Sequence, residues 1–246
     1  MILEIDAGNS RIKWRLLSDD LQIMDRGICF TSAELKSILP TIDNVQRVRV
    51  ASVRGPDFTS GLAESMQLRW QVDAEIARVT PDQAGVRNAY KKFEMLGVDR
   101  WLAMLAAYNR RHSRCCIISL GTAITLDVVD EAGVHQGGFI IPGLSLQRKS
   151  LLEGTSIRLP AESQWSSTWS SNALGCSTED AVNHGIYTML LSGIVNFPVV
   201  AEIGASGGLF LTGGDADVIS EGLCGYGIDH YCDQDIIMDG LAYALP

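Results

Sequence analysis

Alternating apolar and polar positions divide the start of the chain into two short strands around a polar turn. The apolar positions are Ile2, Leu3 and Ile5 before the turn and Ile12, Trp14 and Leu16 after it. The turn reads Asp-Ala-Gly-Asn-Ser over residues 6–10. This pattern predicts strand, tight turn, strand. Glycine lets a ligand approach the backbone, and N–H groups of such a turn can bind an anion. Asp, Gly and Asn are also common turn formers, so this stretch alone fits an ordinary hairpin.

A second stretch repeats this pattern in the other half of the sequence. Two apolar residues lead towards Ser119, and Gly121 and Thr122 then precede another alternating run. Two such hairpins predict two related halves that face each other over one polyphosphate. A third apolar run, residues 209–212, leads into Gly213 and Gly214 at a predicted helix start, where unpaired N–H groups favour anions.

The remaining pattern predicts an α/β protein of two halves, residues 1–114 and 115–246. Further strands are predicted over residues 24–30, 47–53, 74–79 and 115–120, and helices over residues 32–36, 58–68, 144–153, 178–194 and 235–245. Ser32 is the predicted N-cap of the first helix, and Thr178 lies at or near the start of the long apolar one. The last helix is expected to pack back across the junction of the halves. Residues 160–171, rich in Ser and Trp, are predicted to form a surface loop.

Composition excludes several classes of function. The 246 residues are enough to bury a substantial core as one large or two small domains. A net charge of −9 without a basic patch argues against nucleic acid and against an anionic membrane as partners. Glu4 and Asp6 do not fit a signal peptide and no stretch is a convincing membrane span, so a cytoplasmic location is expected. The six cysteines lack C-x-x-C spacing and are interpreted as reduced thiols, and the four histidines lack metal-ligand spacing.

A segment without clear periodicity leads to the sequence Gly-Val-Asp-Arg at residues 97–100. The helical pattern begins at Trp101, which places Asp99 where a helix N-cap would lie. A capping carboxylate is a sufficient explanation of Asp99 by itself. The alternative is a carboxylate that accepts the proton of a substrate hydroxyl. The chain contains no G-x-x-x-x-G-K-[ST] motif, which excludes kinase chemistry of the P-loop type.

The order of these motifs resembles that of the type III pantothenate kinases. The chain carries D-x-G-N-[ST]-x-x-K at residues 6–13, G-x-D-R at 97–100, G-T-A-x-T-x-D at 121–127 and T-G-G at 212–214. The first and third motifs alone indicate only the superfamily of acetate and sugar kinases, Hsp70 and actin. The second motif narrows the resemblance to one family. It implies two similar ribonuclease H-like (actin-like ATPase) domains with the nucleotide in the cleft between them.

By this resemblance the protein uses ATP to phosphorylate pantothenate to 4'-phosphopantothenate, the first step of coenzyme A biosynthesis, with Asp99 as the general base. The implied ATP-binding residues are Asp6, Ala7, Gly8, Asn9, Ser10, Arg11, Ile12, Lys13 and Thr122, and the implied pantothenate-binding residues are Tyr90, Gly97, Val98, Arg100 and Thr178. Asp6 would orient Mg²⁺ or its water, and Lys13 would place a positive charge on the phosphates. The family's enzymes are homodimers with the pocket at the interface, so Thr178 is expected to act across it.

One position departs from the family pattern. The family usually has Asp at the site of a bound monovalent cation, K⁺ or NH₄⁺, and this chain has Ser119 there. A hydroxyl can ligate K⁺ but supplies no charge, which puts the dependence on the cation in question. Two alternatives therefore stay open. One is a nucleotide-binding regulatory protein on the same fold that has lost transfer; the other is a kinase for another small hydroxyl compound.

Overall fold

The structure, a computed structural model, describes residues 1–159 and 173–246. Its described residues form two compact units, one of Met1–Arg110 with Asp235–Pro246 and one of Arg111–Gln234. The first unit leaves off at Arg110 and resumes at Asp235, whereas the predicted halves divide after residue 114. The C-terminal segment differs from the prediction, because Asp235–Pro246 joins the first unit and not the second. The loop predicted over residues 160–171 lies outside the described residues.

The first unit is built on a five-stranded sheet. Its strands are β1 (Ile2–Ala7), β2 (Ile12–Leu17), β3 (Ile23–Cys29), β4 (Arg47–Ser52) and β5 (Ala74–Ile76). They are ordered β3-β2-β1-β4-β5, antiparallel on the β2 side of β1 and parallel on the β4 side. The other elements are α1 (Ser32–Ile38), α2 (Pro56–Trp70), the short strands β6 (Asp82–Gln83) and β7 (Val86–Arg87), and α3 (Val98–Arg111), with 3-10 turns at Leu39–Thr41 and Phe93–Met95.

Alternation along β1 decides which of its side chains lie on each face of the sheet. Leu3 and Ile5 point into an apolar core that α1 and α2 share. Glu4 and Asp6 therefore point to the opposite face. Glu4 is fully buried there, and its carboxylate accepts a hydrogen bond from Arg15 Nε at 2.6 Å. The first predicted hairpin is confirmed, and its turn lies where β1 ends.

The C-terminal helix, α8 (Ile236–Ala244), completes the first unit. It buries Ile236 and Leu241, and a Cβ added at Gly240 would come within 2.3 Å of the Leu102 carbonyl oxygen of α3. Its Asp239 forms ion pairs with Arg15 and Arg110. An apolar helix is stable only where it can bury its apolar face. The close packing on α3 is the physical reason why this segment joins the first unit.

Two helix starts differ from the prediction by a residue or two. Thr31 caps α1 in place of Ser32, because the Thr31 hydroxyl accepts the N–H of Glu34 at 3.1 Å. The Glu34 carboxylate in turn accepts the N–H of Phe30 at 2.7 Å, an exchange that resembles a capping box. Asp99 is the second residue of α3, which begins at Val98, and is not its N-cap.

The second unit repeats the strand arrangement of the first. Its strands are β8 (Cys115–Leu120), β9 (Ala123–Val129), β10 (His135–Pro142), β11 (Leu209–Thr212) and β12 (Tyr231–Cys232). They are ordered β10-β9-β8-β11-β12, again antiparallel on one side of the central strand and parallel on the other. Its helices are α4 (Leu144–Gly154), α5 (Thr178–Val195), α6 (Pro198–Ala205) and α7 (Ala216–Gly225).

Helix α5 lines the apolar core of the second unit through Ile186, Leu190 and Leu191. Ser177 caps this helix by accepting the N–H of Asp180 at 3.0 Å, so Thr178 is its first residue. In the described parts of the chain, no single helix is long and apolar enough to cross a membrane. Helices α5 and α6 reach that length and apolar character only together, and they are bent by 65° to each other.

The cysteines are free thiols. Cys115 and Cys116, side by side in β8, are both fully buried. Burial raises the pKa of the Cys115 thiol to about 12 and raises the pKa of Cys116 as well, so both are protonated and unreactive at neutral pH. They act as small apolar residues.

Candidate functional site

The first loop, residues 8–11, joins the paired strands β1 and β2. Asp6 and Lys13 are register partners just inside the two strand ends, so a carboxylate and an ammonium group stand beside the same turn. Side chains of directly opposed residues in an antiparallel pair lie on one face of the sheet. Asp6, Lys13 and the loop backbone are therefore brought together by a single hairpin.

The pKa of Asp6 is shifted by burial and by two charged neighbours. Burial raises the pKa of Asp6 from an ordinary 3.8 to about 6, Lys13 opposes the rise, and the nearby charge of Asp99 adds to it. The carboxylate of Asp99 in α3 is thus close enough to Asp6 for the two negative charges to interact. The fold brings the first and second motifs of the sequence to one place in the first unit.

Asp99 is held at the start of α3 by its immediate surroundings. Its Oδ1 accepts the N–H of Arg100 at 2.8 Å. A Cβ added at Gly97 would lie only 2.6 Å from the same oxygen. The missing side chain at position 97 therefore leaves the space that the Asp99 carboxylate occupies, which gives a physical reason for the Gly-x-Asp spacing.

Arg100 and Tyr90 form a pair beside Asp99. The Nη1 of Arg100 donates to the Tyr90 hydroxyl at 3.0 Å, and the guanidinium lies 5.7 Å from the centre of the Tyr90 ring. Arg100 is only 6% exposed. Asn88 fixes the segment before the helix, because its side-chain oxygen accepts the N–H of Tyr90 at 2.9 Å. A buried guanidinium and a phenol next to a carboxylate can recognise a polar substrate with an acidic group.

The second loop, Gly121 and Thr122, joins β8 and β9 at the corresponding place in the second unit. It is held by backbone contacts: Gly143 donates its N–H to the Thr122 carbonyl at 2.9 Å, and Asp215 donates to the Leu120 carbonyl at 3.0 Å. A Cβ added at Gly143 would come within 2.0 Å of the Gly121 carbonyl oxygen. Glycine is needed at position 143 for this approach.

Ser119 lies beside this second loop, opposite Thr125 in β9 and Thr212 in β11. The hydroxyl of Thr212 is buried and has no hydrogen-bond partner among the described residues. Thr178 also belongs to the second unit, at the start of α5. The structure thus places Thr122, Ser119 and Thr178 in one unit and Asp6, Lys13, Tyr90, Asp99 and Arg100 in the other. The predicted meeting of the two sets at one nucleotide stays a prediction.

Metal ligands are sparse in the described part of the chain. No group of three or more His, Cys, Asp or Glu side chains is arranged there to hold a metal ion. Mg²⁺ does not require such a cage, because it usually binds through one or two carboxylates, retained waters and the phosphates of a substrate. The single carboxylate of Asp6 fits that mode of binding.

Comparison with known proteins decides the family. The sequence model of the family "type III pantothenate kinase" matches residues 2–197. The chain belongs to this family. Relatives named type III pantothenate kinase include those of Azotobacter vinelandii (37% identical, 100% of this chain and 99% of that protein), Pseudomonas aeruginosa (36%, 100% and 99%) and Chromohalobacter salexigens (38%, 100% and 88%).

Solved structures of other proteins have the same fold as this chain. A Campylobacter jejuni protein described as a conserved Baf family transcriptional activator is 20% identical and matches 98% of this chain and 95% of its own, with a TM-score of 0.62. The activator of 2-hydroxyisocaproyl-CoA dehydratase from Clostridium difficile, solved with bound ADPNP, is 13% identical and matches 99% and 92%, with a TM-score of 0.51. The predicted class, α/β of the actin-like ATPase and sugar kinase type, is confirmed.

Sequence reasoning missed one residue that contacts the first loop. Arg54, just after β4, donates hydrogen bonds to the carbonyls of Gly8 and Asn9 in the first loop. Its position after a strand was visible in the sequence. The partnership was not visible, because it depends on β4 lying parallel to β1.

Proposed function

We propose that this protein transfers the γ-phosphoryl group of ATP to the primary hydroxyl of pantothenate, the first step of coenzyme A biosynthesis. Its family membership and its full-length relatives, all named for this activity, support the reaction class and the substrate. The residue roles are supported by the hairpin that sets Asp6 opposite Lys13 and by the effect of the Asp99 charge on the pKa of Asp6.

Asp99 is the general base in this proposal. Its carboxylate accepts the proton of the pantothenate hydroxyl as the oxygen attacks the γ-phosphorus in line, the bond from that phosphorus to the β,γ-bridging oxygen breaks, and ADP leaves. Gly97 leaves room for that carboxylate, and the Arg100 N–H orients it. Tyr90, Val98 and Arg100 line the side of the pocket that binds pantothenate, and the Arg100 guanidinium faces its carboxylate. Thr178 contributes a hydroxyl to the same substrate from a partner subunit in a homodimer.

The first loop and its flanking residues hold the polyphosphate. The backbone of residues 7–12 surrounds the β- and γ-phosphates, Lys13 neutralises part of their charge, and Thr122 binds phosphate from the second unit. Asp6 would hold Mg²⁺ directly or through water, and the ion would supply charge neutralisation for phosphoryl transfer. Gly213 and Gly214 let the adenosine end pass close to the backbone. A cytoplasmic location and a weakened monovalent-cation site at Ser119 belong to the same proposal.

The relatives do not favour the alternative of a regulatory protein that has lost transfer. A direct test measures ATP consumption by the purified protein with pantothenate and with a panel of common sugars. We expect consumption with pantothenate and a product heavier by one phosphoryl group. Consumption with a sugar alone would identify a different kinase, and ATP binding without consumption would restore the regulatory alternative.

A further inference from the structure

Arg54 contacts the first loop from the neighbouring strand. It follows β4, and the N–H of Val53 extends the pairing of β4 with β1 by donating to the Ala7 carbonyl at 3.2 Å. Beyond Val53, contact with the first loop is made by the Arg54 side chain and no longer by the backbone. Its Nε donates to the Gly8 carbonyl at 2.8 Å and its Nη2 donates to the Asn9 carbonyl at 3.3 Å. One guanidinium thus binds two successive carbonyls of the loop.

The guanidinium is itself held in place. Its central carbon lies 4.6 Å from the centre of the Phe58 ring, near the start of α2. The N–H of Arg54 donates to the Ser52 hydroxyl at 3.2 Å, and that hydroxyl also accepts a hydrogen bond from Thr59 at 3.0 Å. Stacking on an aromatic face suits the planar guanidinium and leaves its edge free to donate. The direction of the donors is therefore fixed by α2 and not by the loop that they bind.

The contact with Arg54 also determines the direction of the loop N–H groups, because each peptide unit is planar. In a trans peptide the N–H points opposite to the C=O of the same unit. Because the carbonyls of Gly8 and Asn9 point to Arg54, the N–H groups of Asn9 and Ser10 point away from it. These N–H groups belong to the loop that surrounds the phosphates in the proposed function.

We propose that Arg54 is a positioning residue for nucleotide binding: it holds the carbonyls of Gly8 and Asn9 so that the N–H groups of the loop face the phosphates. The inference rests on the proposed function for the identity of the ligand. The role requires a planar fork with two donors. A lysine ammonium keeps the charge but has neither the fixed second donor nor the flat face that stacks on Phe58.

The experiment compares Arg54→Ala and Arg54→Lys with Arg69→Ala. Arg69 is a matched control, because its guanidinium also lies over an aromatic ring, Trp70, at 5.8 Å and also donates to a backbone carbonyl, that of Ile42, at 3.4 Å. It lies at the other end of α2, away from the loop. For each protein we would measure the Kd of ATP by calorimetry, hydrogen exchange of residues 8–11 and the KM of pantothenate.

We expect both Arg54 variants to bind ATP about tenfold to a hundredfold more weakly, because the hydrogen bonds from the loop N–H groups to the charged phosphates would be misaligned. Loop amides should exchange faster, the KM of pantothenate should change little, and Arg69→Ala should match the wild type. An unchanged Kd of ATP in Arg54→Ala, or full recovery in Arg54→Lys, would overturn the inference. A wild type that binds ATP but leaves pantothenate unmodified would refute the proposed function alone, because the Arg54 test measures ATP binding.

Discussion

The central strand of each unit ends in the same way but with different chemistry. In the first unit the penultimate residue of β1 is Asp6, and its partner across the hairpin is Lys13. In the second unit the penultimate residue of β8 is Ser119, and its partner is Thr125. The repeated fold therefore supplies two loops of equivalent position, whereas the charges that would act on phosphate and metal are confined to one of them. The two units thus share their backbone arrangement at this position but not their charged side chains.

The two loops are also anchored differently. Arg54 holds the first loop with a side chain, from the residue that follows the neighbouring parallel strand by two positions. The second loop is held by backbone hydrogen bonds and by the close approach of Gly143 to the Gly121 carbonyl. A single substitution can remove a side-chain anchor, whereas hydrogen bonds between backbone groups remain whatever the side chain. The first loop should thus tolerate changes that alter function alone, and changes at the second should alter stability.

The largest effect is expected at Asp99, in the first unit. Asp99→Asn keeps the size of the side chain and an oxygen for the Arg100 N–H, but the amide cannot take up a hydroxyl proton. General bases contribute about 10²–10⁴-fold, so pantothenate turnover should fall at least about a hundredfold while the Kd of ATP stays near that of the wild type. Steady-state kinetics and calorimetry measure the two quantities.

Asp57→Asn is the matched control for this variant. Asp57 is the second residue of α2, as Asp99 is of α3, and it is exposed. A change confined to the helix start would affect both variants alike through stability. Near-normal turnover in Asp99→Asn would return Asp99 to a structural role and leave the general base unidentified.

The backbone anchor of the second loop is tested by Gly143→Ala. The new methyl group would lie about 2.0 Å from the Gly121 carbonyl oxygen, far inside contact distance, so the loop or the start of α4 must shift. Overpacking of this kind costs about 1–3 kcal/mol of unfolding free energy, measurable by urea denaturation. Gly154→Ala, at the other end of the same helix, meets nothing within 4 Å and should change stability little. Equal stability of the two variants would show that the loop is not held in this way.

The raised pKa of Asp6 predicts that the ionised Asp6 carboxylate lowers the stability of the folded protein above pH 6. An acid whose folded pKa is about 6 and whose unfolded pKa is 3.8 favours the folded state fully below pH 3.8 and loses that contribution as the pH rises through 6. Asp6→Asn should therefore be more stable than the wild type at pH 8, by about 3 kcal/mol for a shift of the pKa from 3.8 to about 6, and most of this difference should be gone near pH 4. The same variant should lose activity. Thermal unfolding across this pH range measures the effect.

Glu4→Gln is the counterpart on the same strand and face. Glu4 is paired with Arg15 at 2.6 Å and with Arg49 at 3.2 Å, so removal of its charge takes a carboxylate from two buried guanidinium groups and leaves Arg15 with Asp239 alone. This change should lower stability at pH 8, opposite in sign to Asp6→Asn. A stabilised Glu4→Gln, or an Asp6→Asn variant that is less stable than the wild type at pH 8, would contradict the difference between the two carboxylates.

The sequence predicted the local parts of this arrangement and missed the non-local ones. Both hairpins, the strand before Gly213 and the helix after Gly97 follow from periodicity and turn chemistry, and the structure contains them. The contact of Arg54 with Gly8 and the packing of Gly240 on Leu102 depend on which strands and helices become neighbours, which periodicity does not report. The cap of α1 was wrong for a local reason: Thr31 and Ser32 can both cap, and the Glu34 side chain decides between them.

The smallest effect is expected at the uncharged counterpart of Asp6. Ser119 lies opposite Thr125 and beside Thr212, whose buried hydroxyl has no partner among the described residues. If a monovalent cation binds beside Ser119 as proposed, a carboxylate at position 119 would give the site a negative charge and could accept a hydrogen bond from the Thr212 hydroxyl. Ser119→Asp should then reach half-maximal activity at a severalfold lower K⁺ concentration than the wild type, with ionic strength held constant by choline chloride. Ser119→Asn has nearly the same size without the charge and should titrate like the wild type. Identical K⁺ curves for all three proteins would show that charge at this position does not govern the response, and the difference between the two loops would then concern phosphate alone.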